Sequence, residues 1–349
     1  MSFQLNPLTR RQLQRFRAIK RGYLSFLLFG FLLLLAAGAE LLVNSRALIV
    51  RYRGRLYFPT YSAFHPGTDF GEDYSYETNY RRLAQKFARA HDGDWVLLPP
   101  IPYNPYENDF RPGVYPPTRP SWRERHLLGT DTTGRDVLAR LFYGFRTAMV
   151  FSLLYMAFVY LLGVAIGCAM GYFGGTFDLV AQRLVEIWSN IPFLYIVIIV
   201  ASLVTPNLGW LLVIVVLFSW TGMTYYLRTA TYREKARDYV AAAEVLGAGT
   251  GRIIFRHVLP NTLSTIVTFI PFTLANAITL LTALDFLGFG LPPPTPSWGE
   301  LLRQGTSNLD APWIVTSTFV ALVVVLSLVT FIGEAVREAF DPKKFTVYQ

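Results

Sequence analysis

Charge is scarce in this sequence: only 16% of its 349 residues are Asp, Glu, Lys or Arg. A soluble globular domain carries roughly 25%, so the deficit excludes an ordinary soluble enzyme. Cysteine is almost absent. The single Cys168 leaves no role for disulfides and says nothing about redox compartment. Four scattered histidines show no metal-ligand spacing, and no His-Glu-x-x-His occurs. There is no Gly-x4-Gly-Lys-Ser/Thr phosphate loop; the glycine-rich run at 247–251 lacks the lysine and reads as a turn. The stretch at 131–136 lacks the ligand series and closing Glu of a calcium loop. No catalytic residue, metal site or cofactor site is expected in the chain.

What the sequence has instead is long apolar runs. Five uncharged windows cover residues 22–39, 147–177, 187–227, 257–284 and 311–333, with lengths of 18, 31, 41, 28 and 23. A bilayer-spanning helix needs about 20 such residues. The longest window would make a single helix of ~62 Å, twice the ~30 Å hydrocarbon core. It is interrupted by the turn-forming run Thr205-Pro206-Asn207-Leu208-Gly209. The expected fold is therefore an all-α polytopic membrane protein with six transmembrane helices. The expected spans are 22–43, about 147–170, 187–204, 210–227, 261–284 and 313–333. The main transmembrane domain is expected over 147–338, followed by a short tail over 339–349.

Lys/Arg bias sets the expected orientation. Residues 1–21 hold six basic groups and no acidic one, and 228–256 hold six basic against three acidic. On the other side, 285–310 hold one basic and three acidic. Both termini and the 228–256 loop are thus expected in the cytoplasm. The formal charge of +9 reads as a positive-inside flank beside membrane lipid, with no nucleic-acid partner. The apolar run 23–39 imitates a signal peptide, but 17 residues is long for a 7–15-residue h-region. It is expected to remain as an uncleaved first span.

Residues 44–126 form a large periplasmic insert in this reading, with ten of the 21 prolines and 16 aromatics. Residues 49–58 alternate like two short strands around Arg53-Gly54. Residues 76–91 have a helical composition, and 99–120 hold eight prolines in 22 residues. A small α+β unit of this size has a modest core of its own and is expected to lean on the membrane domain. A separate surface helix is expected over 127–146, where Val137, Leu138, Leu141 and Phe142 form a stripe.

In the second span, Gly163, Gly167 and Gly171 recur at four-residue steps, a spacing that permits close helix packing in lipid. Within the five windows the only ionisable residue is His257, at an edge, so a proton-coupled carrier is poorly supported. A self-sufficient channel or secondary carrier for small solutes stays open as the alternative.

The loop between spans four and five is the most informative segment. The stretch 240–246 favours helix through its alanines, and Gly247 ends it. Residues 252–259 suit a second short helix, with Pro260 at the start of the fifth span. Two helices on a glycine turn make a rigid knob. This loop resembles the signature of permease subunits of binding-protein-dependent ABC importers: Glu-Ala-Ala, three residues, Gly, nine residues, Ile, one residue, Leu-Pro. Ala242, Ala243, Gly247, Leu259 and Pro260 match in spacing, while Ala241 replaces the usual Glu and His257 the frequent Ile.

Further segments are similar to the dipeptide and oligopeptide branch of that family. They are the outer motif ahead of span two, with Gly129, Thr130, Asp131, Gly134, Arg135 and Asp136, and the runs 171–178 and 284–300. The insert with Arg51-Tyr-Arg-Gly-Arg-Leu-Tyr-Phe-Pro59 resembles the members associated with microcin C uptake. The resemblance implies the type I ABC importer fold and a permease subunit for peptides in the bacterial inner membrane. It implies a second homologous permease subunit as heterodimer partner and a periplasmic peptide-binding protein. Two ATPase subunits, or one fused ATPase with two nucleotide domains, would bind ATP and Mg; this chain would have no enzymatic activity. The ATPase-coupling loop would use Ala241, Ala242, Ala243, Gly247, Arg252, His257, Leu259 and Pro260.

Overall fold

The computed structural model describes residues 7–340. Helices dominate. The chain opens with α1 (Pro7–Ala18), α2 (Lys20–Ala37) and the single turn α3 (Ala39–Leu42). The insert follows, with strands β1 (Ile49–Tyr52) and β2 (Arg55–Tyr57), helix α4 (Tyr80–Ala90) and strand β3 (Trp95–Leu97). Beyond it come α5 (Val137–Phe173), α6 (Gly175–Ser189), α7 (Phe193–Leu203) and α8 (Leu208–Lys235). The rest is α9 (Asp238–Val245), α10 (Thr250–Ile253), α11 (Leu259–Leu287), α12 (Trp298–Ser307) and α13 (Pro312–Phe340).

Among the described residues, five helical stretches are each long and apolar enough to cross a bilayer. The sixth crossing follows from packing. Gly163, Gly167 and Gly171 of α5 meet Met223, Leu227 and Thr231 of α8 in the same order, so the two helices run parallel. The chain between parallel neighbours has to travel back along the bundle. The α6–α7 pair does so, bent by 63° between its two halves. With only 11 residues, or ~17 Å, α7 is too short to cross alone. Arg21 pairs with Glu334 at 2.6 Å, placing the start of α2 and the end of α13 at one end of the bundle. Arg337 and Phe340 there share a cleft with Arg233 and Asn261, so that is also the end bearing α9.

Two apolar cores hold the bundle. One joins Phe29, Phe145, Ile278, Trp298, Ile314 and Val329 from α2, α5 and α11 to α13. The other joins Phe151, Val159, Val215, Leu227 and Leu281 from α5, α8 and α11. Many outward residues are apolar as well, as a lipid-facing surface requires.

The insert is a three-stranded antiparallel sheet in the order β2-β1-β3, with Val50 opposite both Tyr57 and Val96. Val50, Phe70, Tyr80, Leu83 and Phe87 close a small core between sheet and α4. The insert leans on the bundle through Val43, Ile101, Tyr103 and Ala139. Tyr143 donates to the carbonyl of Val43 at 3.2 Å.

Several expected boundaries move. No separate surface helix occupies 127–146: Asp136 caps the backbone N–H of Ala139 at 2.7 Å and opens α5, whose stripe of Val137 and Leu141 runs unbroken into the second span. The first span stops at Gly38, where the axis breaks before α3. The third span is not the straight segment 187–204; Asn190, Ile191 and Pro192 interrupt it, since Pro192 has no N–H to continue a helix. The second helix of the loop is not separate either. From α10 the chain passes through one π-helical turn, Ile254–Val258, directly into α11. Pro260 donates no hydrogen bond to residue 256, and the wider turn absorbs that gap. The helix of α13 extends to Phe340, and the remainder of the expected tail, 341–349, lies outside the described residues, as do residues 1–6 of the basic N-terminus.

Candidate functional site

The knob at 236–260 is built as a wedge with a pinned face and a free one. Helix α9 ends in a Schellman arrangement: Gly247 N–H donates to Glu244 O at 2.9 Å and Ala248 N–H to Ala243 O at 3.0 Å. Gly247 sits at φ +78°, where a side chain is strained, yet no atom crowds the position. The glycine is there for backbone conformation rather than for close approach.

The pinned face consists of Val240, Ile253 and Val258, fully buried against Tyr172 near the end of α5. Lys235 donates to the carbonyl of Tyr172 at 2.5 Å. Tyr239 donates to Glu234 at 2.7 Å, and Asn261 donates to Tyr239 at 3.1 Å. These bonds tie α8, α9 and the start of α11 together. The free face carries Val245, Leu246 and Phe255, which are 88%, 86% and 73% exposed. An apolar patch beyond the ends of the spans marks a contact surface.

Of the residues picked from sequence, Ala243 is a buried residue of α9, while Ala241, Ala242, Arg252 and Pro260 are exposed. His257 and Leu259 are half-buried. Sequence reasoning missed Val245, Leu246 and Phe255. Two adjacent apolar residues just ahead of a helix-ending glycine were the available signal.

Motion of the knob would reach the spans through α5 and α8. A Cβ at Gly163 would lie 2.6 Å from that of Met223; at Gly167 it would lie 2.6 Å from Thr224 O; at Gly171, 2.6 Å from Arg228 O. The backbones therefore touch, and a sliding motion has no side-chain cushion. Asp178 of α6 accepts from Arg228 Nε and Nη2 at 2.5 and 2.6 Å and from Tyr232 at 2.8 Å. This fork ties the broken span to the same pair.

At the other end, all six residues of the outer motif are buried. Asp131 Oδ1 accepts from the backbone N–H of Thr133 and Arg135, and Oδ2 from Arg135 Nε at 2.7 Å. Arg135 reaches Glu300 of α12 at 3.0 Å, and the fully buried Arg140 pairs with the same carboxylate. Arg140 also donates to the carbonyls of Pro105 and Pro294 at 3.0 and 3.1 Å. Gly129 at φ +73° leaves room for Trp313, whose indole donates to Thr130 O at 3.1 Å. The motif thus cements α5, α12, α13 and the insert, and it presents no docking face. Guanidinium groups hold the carboxylate oxygens that a cation would need, and no cluster of three metal-ligating side chains occurs among the described residues.

Beside the motif, buried His126 contacts Asp136 through Nδ1 at 2.7 Å and Asp109 through Nε2 at 3.0 Å. Burial opposes the charged ring, but the hydrogen bonds to Asp109 and Asp136 outweigh it and hold the imidazole above its ordinary pKa. The His126 bond in turn holds the Asp109 carboxyl below the usual carboxylate range, against the cost of burial and with help from Arg111 and Arg81.

Fold and site together define an integral membrane protein with six candidate crossings among the described residues, an apolar contact knob at one end and a folded insert at the other. Residues 163–346 match the model of the binding-protein-dependent transport system inner membrane component family. The chain is 42% identical over 344 residues to the inner membrane ABC transporter permease protein YejE of Escherichia coli strain K12, covering 98% of this chain and 99% of the relative. It is 40% identical to the peptidoglycan transport system permease protein YejE of Agrobacterium fabrum, over 97% and 94% of the two chains. To the dipeptide transport system permease protein DppC of Haemophilus influenzae it is 35% identical over 71% and 85%. The chain belongs to the family of binding-protein-dependent inner membrane transport components.

Proposed function

We propose that the chain is the transmembrane permease subunit of an ATP-driven importer that moves peptides across the inner membrane. Family membership supplies the class, and the relative named for dipeptide transport supplies the cargo. The observation that carries the mechanism is the knob, apolar on its free face and bonded to α5 and α8 on the other. In this reading the free face seats against an ATPase, since the sequence has no phosphate loop of its own. Two ATPase subunits, or one fused ATPase, hold ATP and Mg.

The residues give the coupling a route. Closure of the ATPase moves Val245, Leu246 and Phe255; the pinned face carries the displacement to Tyr172 and Lys235. The α5–α8 pair then shifts as a unit, because its backbones are in contact. The Asp178 fork draws α6 along, and the break at Asn190–Pro192 serves as the joint. A second homologous permease completes the passage, and a periplasmic peptide-binding protein delivers cargo at the insert end. Both termini and the knob face the cytoplasm. Peptide conjugates of the microcin C kind, and the peptidoglycan cargo named for the Agrobacterium relative, are further substrates to test.

The test is reconstitution. Coexpressed with candidate ATPase and second-permease chains, the tagged chain should bring both down, and proteoliposomes of the complex should take up labelled peptide only with ATP. Equal uptake by this chain alone, without ATPase, overturns the reading in favour of a self-sufficient carrier.

A further inference from the structure

The insert contains an open cleft of about 780 Å³ between α4 and the 109–125 loop. Five arginines line it: Arg81 and Arg82 on the helix side, Arg111, Arg123 and Arg125 on the loop side. Two of these are already matched. Arg81 grips Glu107 and the carbonyl of Pro102, and Arg111 pairs with Asp109 and Glu124. The remaining three guanidinium groups, of Arg82, Arg123 and Arg125, have no ion pair or hydrogen bond among the described residues. The acidic residues of the walls, Asp109 and Glu124, are both engaged by Arg111 and outnumber it by one, so they reduce the positive excess of the cleft without cancelling it.

Two further features separate this cleft from a generic basic surface. Arg125 is held at φ +60°, a left-handed conformation that is strained for a non-glycine residue. The loop keeps that strain while aiming a cation at the cleft. Leu98, Pro102 and Phe110 add apolar wall between the charges. A small inorganic anion has no use for apolar wall and fills little of the volume. A polypeptide with alternating carboxylates and apolar side chains uses both.

We propose that this cleft receives an acidic, extended polypeptide segment of a partner protein. Carboxylates of the segment would bridge Arg82 on one wall and Arg123 and Arg125 on the other, in charge-assisted hydrogen bonds. Its apolar side chains would rest on Phe110 and Leu98. The proposal does not depend on the transport reading, because the cleft is complete within the insert.

The test uses the full-length chain in nanodiscs of zwitterionic lipid. The probe is a fluorescent, end-capped hexapeptide alternating Glu and Leu; its Gln–Leu analogue and inorganic phosphate are the comparison ligands. The acidic peptide should bind at least tenfold more tightly than the Gln analogue and weaken as salt is raised. The triple variant Arg82→Gln, Arg123→Gln, Arg125→Gln should weaken binding at least tenfold, while Arg89→Gln, the same change on α4 but outside the cleft, should stay within twofold. Thermal unfolding of each variant is followed in parallel; if the triple variant melts early, Arg123→Gln and Arg125→Gln are compared singly, with several-fold weakening expected of each. Equal binding of the Gln analogue overturns the proposal. So does undiminished binding by well-folded variants. Displacement of the peptide by phosphate at matched ionic strength also overturns it, by marking a small-anion site.

Discussion

Lys235, the last residue of α8, donates to the main-chain carbonyl of Tyr172 at 2.5 Å and stands 4.9 Å from the centroid of the same residue's ring. One side chain therefore binds the end of α8 to the end of α5, and the ring it covers is the floor on which Val240, Ile253 and Val258 pack. Removing the Lys235 ammonium or the Tyr172 ring should loosen the knob without touching its free face. Tyr172→Ala in the assembled transporter should cut ATP-driven uptake at least tenfold. ATP hydrolysis should persist, since the contact with the ATPase is retained. Parallel loss of hydrolysis and uptake would count against Tyr172 as a transmitting contact.

The free face makes the opposite prediction. Val245→Asp and Leu246→Asp change residues that are almost wholly exposed, so the melting temperature of the isolated chain in detergent should stay within about 2 °C, as expected for surface changes within ±0.5 kcal/mol. Recovery of ATPase in pull-downs should fall sharply for each, and most for the double variant. Unchanged recovery would remove the knob from the ATPase contact.

Gly167 tests whether α5 and α8 have to touch. A Cβ there would lie 2.6 Å from Thr224 O and 2.8 Å from Leu227 Cβ, neither of which yields without moving helix α8. Gly167→Ala should destabilise the chain by about 1–3 kcal/mol, the usual cost of overpacking. Gly222→Ala on α8 meets nothing within 4 Å and should be neutral. Denaturant unfolding of both variants in detergent provides the comparison.

His126 makes docking of the insert depend on pH. Its folded-state pKa is raised, so its contribution is fully present below the unfolded value near 6.5 and is lost as pH rises through the higher folded value. Asp109 is lowered, so its contribution is present above the unfolded carboxylate value and fades only as pH falls through the still lower folded one. The contact is therefore strongest in mildly acid solution. Hydrogen exchange in residues 103–136, corrected for intrinsic rate, should quicken as pH climbs from 6 to 9. In His126→Gln that acceleration should vanish; its persistence would place the pH response elsewhere.

Much of this was legible in the sequence where the signal is local. Charge-free windows located the spans because lipid contact imposes composition residue by residue. The four-residue glycine step of α5 was visible for the same reason. The breaks were harder. The expected third span, 187–204, runs through Pro192, and Pro260 stands at the start of the expected fifth; only neighbours decide that the first bends the span and the second is absorbed by a π-helical turn. The stripe after Asp136 was seen, but its continuity with span two depended on that cap. The strand Trp95–Leu97 went unseen because three residues hold no period. The Arg140–Glu300 pair was invisible for another reason: its members lie 160 residues apart. The buried site at the insert end was therefore readable as a motif, but its role as cement was not.

The parallel course of α5 and α8 has an electrostatic consequence. Each long helix has a macrodipole equivalent to roughly half a negative charge at its C-terminus, and here two such termini converge at the base of the knob. Arg233 and Lys235 occupy the last turn of α8, and Lys235 caps a terminal carbonyl of α5. Basic residues at this end thus answer a field that the helices themselves create. The bias that reads in sequence as an address label is, at this point of the molecule, also the counter-ion of its two main struts.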